Sequence, residues 1–262
     1  MKNSTAIFAD EQNPIRASTV ISMLKCPFKV MALWDQYIYD SAGEAAQTGS
    51  LLHAGAEEFH RTGELVLALD RLKRDTSKFP LADYDRAKKM FDGYASDRRN
   101  ALTRLSRDRL EVRFTEQIDP HPADKTRQPI FITGQLDQIR DDLLIYDIKS
   151  STRPSGVVNT ESCIQLWIYC WLAQKNGIDV SGYKLIMTNK YVLKQPKLDE
   201  VFVDGLPYDE RRVGKILQDI RLYTMLIRNR ESVPIGPGEH CSWCPMNSPH
   251  TCLGVRVDKD RL

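Results

Sequence analysis

Two neighbouring strand patterns joined by a charged turn set the strongest limit on what this chain can fold into. Residues 130–139 (IFITGQLDQI) and 143–149 (LLIYDIK) flank Arg140, Asp141 and Asp142. Apolar-rich runs of this length on either side of a short polar turn read as a β-hairpin. Side chains two apart on a strand share a face. Asp147 and Lys149 therefore point the same way, the hairpin brings Asp137 beside them, and Leu144, Tyr146 and Ile148 turn to the other face. Two carboxylates converging on one sheet face repel unless a cation lies between them, and an oxygen-rich site of this kind suits Mg2+ or Mn2+. A lysine beside such an ion can orient or deprotonate a water, or stabilise charge building on a phosphate.

The elements around the hairpin follow from periodicity. Apolar residues at helical spacing predict a helix from Ser18 to about Gln36, interrupted at Pro27, and a second from about Thr48 to His60. Further helices are expected near 66–77 and 81–105. Residues 110–118 (LEVRFTEQI) alternate as a strand, and 119–129, with three prolines, form a loop. A helix from about Thr160 to Lys175 follows the hairpin, then a strand at 183–191, a short strand near 199–203 and a last helix over 208–230. Strands interleaved with helices after a helical front give an α/β (α+β) chain with a central mixed sheet flanked by helices. Residues 1–16 read as a flexible or extended leader. Residues 17–262 read as one domain, with a helical part (17–107), a core (108–206) and a C-terminal helix and Cys-rich tail (207–262).

The formal net charge is +2, so a nucleic-acid site must come from local patches rather than bulk charge. No stretch approaches the roughly 20 apolar residues that span a bilayer, and the first residues lack a secretory apolar run. A cytoplasmic protein without a membrane partner is expected. In a reducing compartment the six cysteines suggest metal ligation or burial rather than disulfides. Cys241 and Cys244 form a C-x2-C pair, Cys252 follows, and Cys26 at the Pro27 interruption can supply a fourth ligand. Four thiolates suit either Zn2+ or an iron–sulfur cluster. Such a centre would act as a clasp whose loss frees both ends of the core. Cys163 and Cys170 read as core residues.

Four segments in order resemble the PD-(D/E)XK nuclease superfamily in its RecB-like branch. They are Gly134-Gln135-Leu136-Asp137, Asp147-Ile148-Lys149-Ser150, Gln165 through Tyr169, and Gly49-Ser50-Leu51-Leu52-His53 on an early helix. The resemblance implies a restriction-endonuclease-like core. It implies Mg2+ or Mn2+ held by His53, Asp137, Asp147 and the backbone carbonyl of Ile148, with Lys149 as catalytic lysine. Gln165 and Tyr169 would contact DNA or steady the site. It also implies a deoxyribonuclease, an exonuclease on single-stranded DNA or DNA ends, acting in recombination, repair or spacer processing. Asp147 stands where many members have Glu. Glu111, on the first strand, reads as a surface carboxylate, with assistance to the metal site as the alternative. One cysteine before the core and three after it also resembles the CRISPR-associated exonuclease family and the AddB-type nuclease subunits. That resemblance favours a [4Fe–4S] cluster over Zn2+ at Cys26, Cys241, Cys244 and Cys252, and implies recombination or CRISPR-adaptation proteins as partners, in a bacterial, archaeal or phage-infected cell.

Lys184, Lys190, Tyr191 and Lys194, with Arg211 and Arg212, are candidate DNA contacts, because lysines neutralise phosphates and an interleaved aromatic can stack on a base. Residues 81–113 hold nine Lys/Arg against six Asp/Glu. No helix-turn-helix or P-loop signature is present, so neither sequence-specific readout nor an ATPase motor is expected. Two other readings remain open: a DNA-binding scaffold with a nuclease fold and little cutting, and a zinc-bound DNA-binding protein in which the Asp-x-Lys is coincidental.

Overall fold

A proline closes the first helix before it can run on. The protein is described by a computed structural model covering residues 7–35, 43–151, 160–189, 201–204 and 206–236, with 238, 241, 244 and 252. Helix α1 (Ala17–Lys25) ends at Cys26, which is extended, and α2 (Pro27–Asp35) starts with the proline at its first position, where a missing N–H costs nothing. Helix α3 (Glu44–Thr62) ends at Gly63, whose left-handed φ of 81° lets its N–H reach the Phe59 carbonyl. Helix α4 (Leu65–Asp75) follows. The single helix expected over 81–105 is instead two, α5 (Tyr84–Ser96) and α6 (Arg98–Ala101). The break comes at Asp97, which is extended and uses its carboxylate to cap the new helix through Arg99 N.

Six strands form one mixed sheet: β1 (Ile15–Arg16), β2 (Leu110–Ile118), β3 (Ile130–Ile139), β4 (Leu144–Ser151), β5 (Gly182–Asn189) and β6 (Val201–Asp204). The order is β1-β3-β4-β5-β6, with β2 paired to β3. Strand β4 is antiparallel to β3 and parallel to β5. The parallel pair needs a crossover, and α7 (Thr160–Lys175) is part of it. Helix α8 (Glu210–Arg228) follows β6 in the chain. The class is the mixed α/β sheet with flanking helices expected from sequence.

The chain divides into two compact units that interleave in sequence. The first comprises Met1–Tyr39, Thr115–Thr133 and Glu210–Leu262; the second comprises Asp40–Phe114 and Gly134–Asp209. In the first unit, residues 7–16 pack through short contacts. Phe8 and Ala9 are buried, Phe131 N donates to the Ala9 carbonyl, and Ile15–Arg16 pairs in parallel with β3. In the second unit, apolar faces of α3, α4 and α5 bury Leu51, Leu52, Leu72, Met90, Phe91 and Tyr94 against Tyr146, Ile148 and Ile186 of the sheet. Each such side chain contributes about 1.5–3 kcal/mol on burial. Gly55 permits this packing, since a Cβ there would lie 2.9 Å from Leu72 and 3.2 Å from Phe91.

Candidate active site

The site forms where side chains take over the hydrogen bonding of β4. Strands β3 and β4 are in register at Gln138 with Tyr146 and Ile139 with Ile145. One residue further, the Asp137 carboxylate accepts the Ile148 N–H at 2.7 Å. The Ile148 carbonyl accepts from His53 Nε2 of α3 at 3.0 Å. Both backbone groups of Ile148 are thus held by side chains, satisfying the pairing that buried peptide groups require.

That contact settles how His53 is used. A carbonyl only accepts, so Nε2 carries a proton and Nδ1 faces Asp137 Oδ1 at 3.2 Å and Glu111 Oε1 at 3.6 Å. Burial alone would lower the His53 pKa, but the charge of Asp137 and hydrogen bonds to Asp137 and Glu111 outweigh it and hold the imidazole well above its usual value. Asp137 moves the opposite way. Burial would raise it, and the His53 charge, with Lys149 and the Ile148 N–H, lowers it. Single ligand atoms of His53, Glu111 and Asp137 all lie within 4.8 Å of one another, close enough for one metal ion. Glu111 thus joins His53 and Asp137 in this group. It has a left-handed φ of 50°, a conformation costing about 1–3 kcal/mol in a non-glycine residue. Gln135 fixes its carboxylate: Arg113 Nη2 donates to Gln135 Oε1 at 2.8 Å, which leaves Gln135 Nε2 to donate to Glu111 Oε2 at 2.6 Å.

Asp147 and Lys149 share a face, as their spacing requires. Lys149 Nζ lies 3.0 Å from Asp147 Oδ2 and 3.3 Å from Gln165 Oε1, and Gln165 Nε2 donates to the Tyr169 hydroxyl at 2.7 Å. Burial, together with the charge of Asp137, pushes Asp147 up to about 6 against the lowering effect of Lys149. Burial would lower Lys149, but Asp147 and Asp137 hold it above its usual value. Burial and the same two carboxylates raise Tyr169. Gly134 lets α7 come this close, because a Cβ there would sit 2.8 Å from both Tyr169 and Leu172.

The other sequence candidates fall elsewhere. Register pairs Lys184 with Tyr146, on the sheet face opposite Asp147 and Lys149. Arg211 and Arg212 are exposed at the start of α8, and Lys190, Tyr191 and Lys194 lie outside the described residues. Much of the basic 81–113 segment is paired: Arg86 with Glu44 and Asp83, Lys88 with Asp92, Arg99 with Asp97, and Arg109 with Asp141. In the first unit Cys26, Cys241 and Cys252 are buried, and Cys244 is partly exposed. Burial and the neighbouring Cys26, Cys241 and Cys244 raise the Cys252 thiol, so each of those three lies within electrostatic reach of Cys252. The Cys26 turn is also held by backbone. Phe28 N donates to the Pro234 carbonyl, and a Cβ on Gly236 would fall 1.8 Å from the Lys25 carbonyl oxygen.

A cavity of about 1010 Å³ opens beside the metal-competent group, lined in part by Gly49, Ser50, His53, Glu111, Asp137 and Lys149. The site is thus a set of carboxylates and a lysine on adjoining strands of a helix-flanked mixed sheet. The sequence profile of the PD-(D/E)XK nuclease superfamily matches residues 17–249, and the chain belongs to that superfamily. A solved structure from Eubacterium rectale, described as a "putative exonuclease", is 14% identical with a TM-score of 0.58, over 95% of this chain and 94% of that one. At that identity it shows the shared fold. A second solved structure, SSO0001, is 16% identical with a TM-score of 0.46, over 90% of this chain and 85% of that one, and carries no argument. No curated protein matches the chain. No helix of the described residues is long and apolar enough to cross a membrane.

Proposed function

We propose that this chain is a divalent-metal-dependent deoxyribonuclease of the RecB-like branch, an exonuclease acting on single-stranded DNA or DNA ends. The observation that carries the reading is the convergence of His53, Glu111 and Asp137 on one point beside Asp147 and Lys149. His53 Nδ1 and the carboxylates of Glu111, Asp137 and Asp147 would hold Mg2+ or Mn2+, a hard-oxygen donor set completed by one imidazole, with the Ile148 carbonyl alongside. When bound, the ion supplies Lewis-acid polarisation of a phosphoryl oxygen and a more acidic water. The chain's own groups account for the rest. Lys149, kept protonated by Asp147 and Asp137, acts as a fixed positive charge for the phosphate rather than as a base. Burial and Asp137 lift Asp147 to about 6, and a bound cation would return it to the ionised form a ligand needs. Gln165 and Tyr169 keep the Lys149 ammonium in place.

The four cysteines fit a tetrathiolate centre, and the reading places a [4Fe–4S] cluster there. A zinc site would need sulfurs about 3.8 Å apart, from Zn–S bonds of about 2.3 Å in a tetrahedron. The choice of the cluster over zinc rests on the resemblance, in which one cysteine precedes the core and three follow it. The pathway reading, recombination, repair or spacer processing, rests on the resemblance alone.

The test compares wild type with Lys149→Ala, purified without oxygen, on end-labelled single-stranded DNA with Mn2+, Mg2+ or EDTA. Metal-dependent loss of DNA is expected from wild type, falling on the order of 10²–10³-fold in the variant, and the fate of the label reports polarity. If both proteins bind DNA and neither cuts it, the scaffold reading replaces this one.

A further inference from the structure

The cavity does not end at the metal-competent group. Its wall continues along α3 through Ala45, Ala46 and Ala54 to Glu57, and across to Arg71, Asp75, Lys78 and Phe79 at the end of α4 and just beyond. We propose that this second end is a nucleotide subsite for a single strand, in which Arg71 takes a phosphate and Phe79 takes the adjoining base. The proposal rests on the nuclease reading above and names what its cleft holds next to the reacting phosphate.

Asp75 organises the subsite. Its side chain is 3% exposed, yet it lines the cavity and draws in two cations, Arg71 Nε at 2.6 Å and Lys78 Nζ at 2.9 Å. Arg71 is thereby fixed through one edge of its guanidinium. Its Nη1 lies 3.8 Å from Glu58 and its Nη2 3.9 Å from Glu57, both beyond hydrogen-bond range. Among the described residues, then, a buried carboxylate aims this fork into the cavity with its Nη donors in no hydrogen bond. A planar fork with two parallel N–H groups matches a phosphate, and a guanidinium already held by its Nε loses little freedom on binding one. Lys78 is 60% exposed beside it and adds a second, mobile charge.

Phe79 supplies the other half. It packs on the helical core while presenting surface to the cavity, so it offers a rigid apolar face for a base. The facing stretch of α3 is built of Ala45, Ala46, Gly49, Ser50 and Ala54, whose short side chains leave room for a sugar–phosphate strand. The volume, about 1010 Å³, is at the upper end of small-ligand pockets, roughly 300–1,000 Å³. It suits a few nucleotides of single strand rather than a duplex. Glu57, Glu111 and Asp137 would repel a strand approaching the bare cleft, so binding should strengthen when a divalent cation is present.

The experiment uses full-length Lys149→Ala protein, fluorescent oligothymidine and Mn2+, with binding read by anisotropy across a salt series. Adding Arg71→Lys, which keeps the charge and removes the fork, is expected to weaken binding about tenfold. Arg71→Ala should also lower the slope of log affinity against log salt by about one. Phe79→Leu should weaken binding about tenfold, Phe79→Tyr should restore it, and a strand abasic throughout should not distinguish the two. In the cutting-competent background, Arg71→Lys should raise KM and leave kcat within about twofold. Parental affinity in both Arg71→Lys and Phe79→Leu, while wild type still cuts, overturns the subsite alone. Absence of metal-dependent binding and cutting in the parent proteins overturns the subsite together with the nuclease reading.

Discussion

Two arginines, one in each unit, sit against a buried aspartate and do opposite things with the rest of their guanidinium. Arg228 closes α8 and is 1% exposed. It gives Nε to the Phe8 carbonyl, Nη1 to Asp124 and the Gln128 carbonyl, and Nη2 to the Ala9 and Pro129 carbonyls. Arg71 is fixed by Asp75 at Nε and hydrogen-bonds nothing else among the described residues. The first has used all of its donors to tie residues 8–9 and 124–129 to one helix end. The second leaves its Nη groups out of hydrogen bonds, with Glu58 and Glu57 at ion-pair distance, and on the proposal above gives them to a phosphate. The contrast separates an arginine that builds a fold from one that waits for an anion, and it does so by donor accounting rather than by burial or charge.

The comparison breaks first at Arg228. Arg228→Ala leaves Asp124 as an uncompensated buried charge, takes the arginine donor from the Phe8, Gln128 and Pro129 carbonyls and leaves the Ala9 carbonyl only the Phe131 N–H, so a loss of about 3–5 kcal/mol is expected in urea unfolding. Arg228→Lys should recover little, since one ammonium cannot reach four carbonyls and a carboxylate. A loss below about 1 kcal/mol would mean that this arginine is no more structural than Arg71. Gly236→Ala comes next. A methyl group aimed at the Lys25 carbonyl oxygen must push the tail off the Cys26 turn, at about 2–3 kcal/mol by thermal or chemical unfolding. If the cysteine centre alone held the tail, the substitution would be silent in loaded protein.

His60 extends the test to a fully bonded group inside the second unit. Its Nδ1 donates to the Thr103 carbonyl, its Nε2 accepts from the Tyr94 hydroxyl, and that hydroxyl accepts from Gln138 Nε2. Burial lowers its pKa to about 4, with Arg140 and Arg104 adding to the effect and the Thr103 carbonyl opposing it. The unfolded chain therefore binds a proton that the folded one refuses between about pH 6.5 and 4. Stability is intact above that window and falls as the pH drops through it, by about 2 kcal/mol at pH 5. His60→Gln should flatten the dependence, and an unchanged slope would remove His60 as its source. The smallest stability effect belongs to Arg71→Lys, below about 1 kcal/mol, because the lysine can still pair with Asp75. A larger loss would place Arg71 in the same class as Arg228.

Much of the site was legible because its signal is local. Alternation placed Asp147 and Lys149 on one face, and a helical interval of four placed Gln165 beside Tyr169; the structure joins all four through Lys149 and Gln165. Glu111 was passed over as a surface carboxylate because nothing in LEVRFTEQI announces a left-handed residue at its second position. Its one sequence companion, Gln135 within Gly134-Gln135-Leu136-Asp137, becomes informative only when the β2–β3 pairing brings Gln135 and Arg113 together. The face that Lys184 takes, opposite Asp147 and Lys149, was not legible for the related reason that an isolated run does not say which face its register will select.

The sequence by itself determined the element order, the hairpin, the interruption at Pro27 and the spacing of the acid–lysine pair, since each depends on dihedral preference or on a period of 2 or 3.6 within one segment. Tertiary structure decided which carboxylate joins His53, which tautomer that histidine keeps and which arginine retains its donors. These depend on distances between segments far apart in the chain, and burial gives such distances their force, because only groups removed from water must find their partners within the protein.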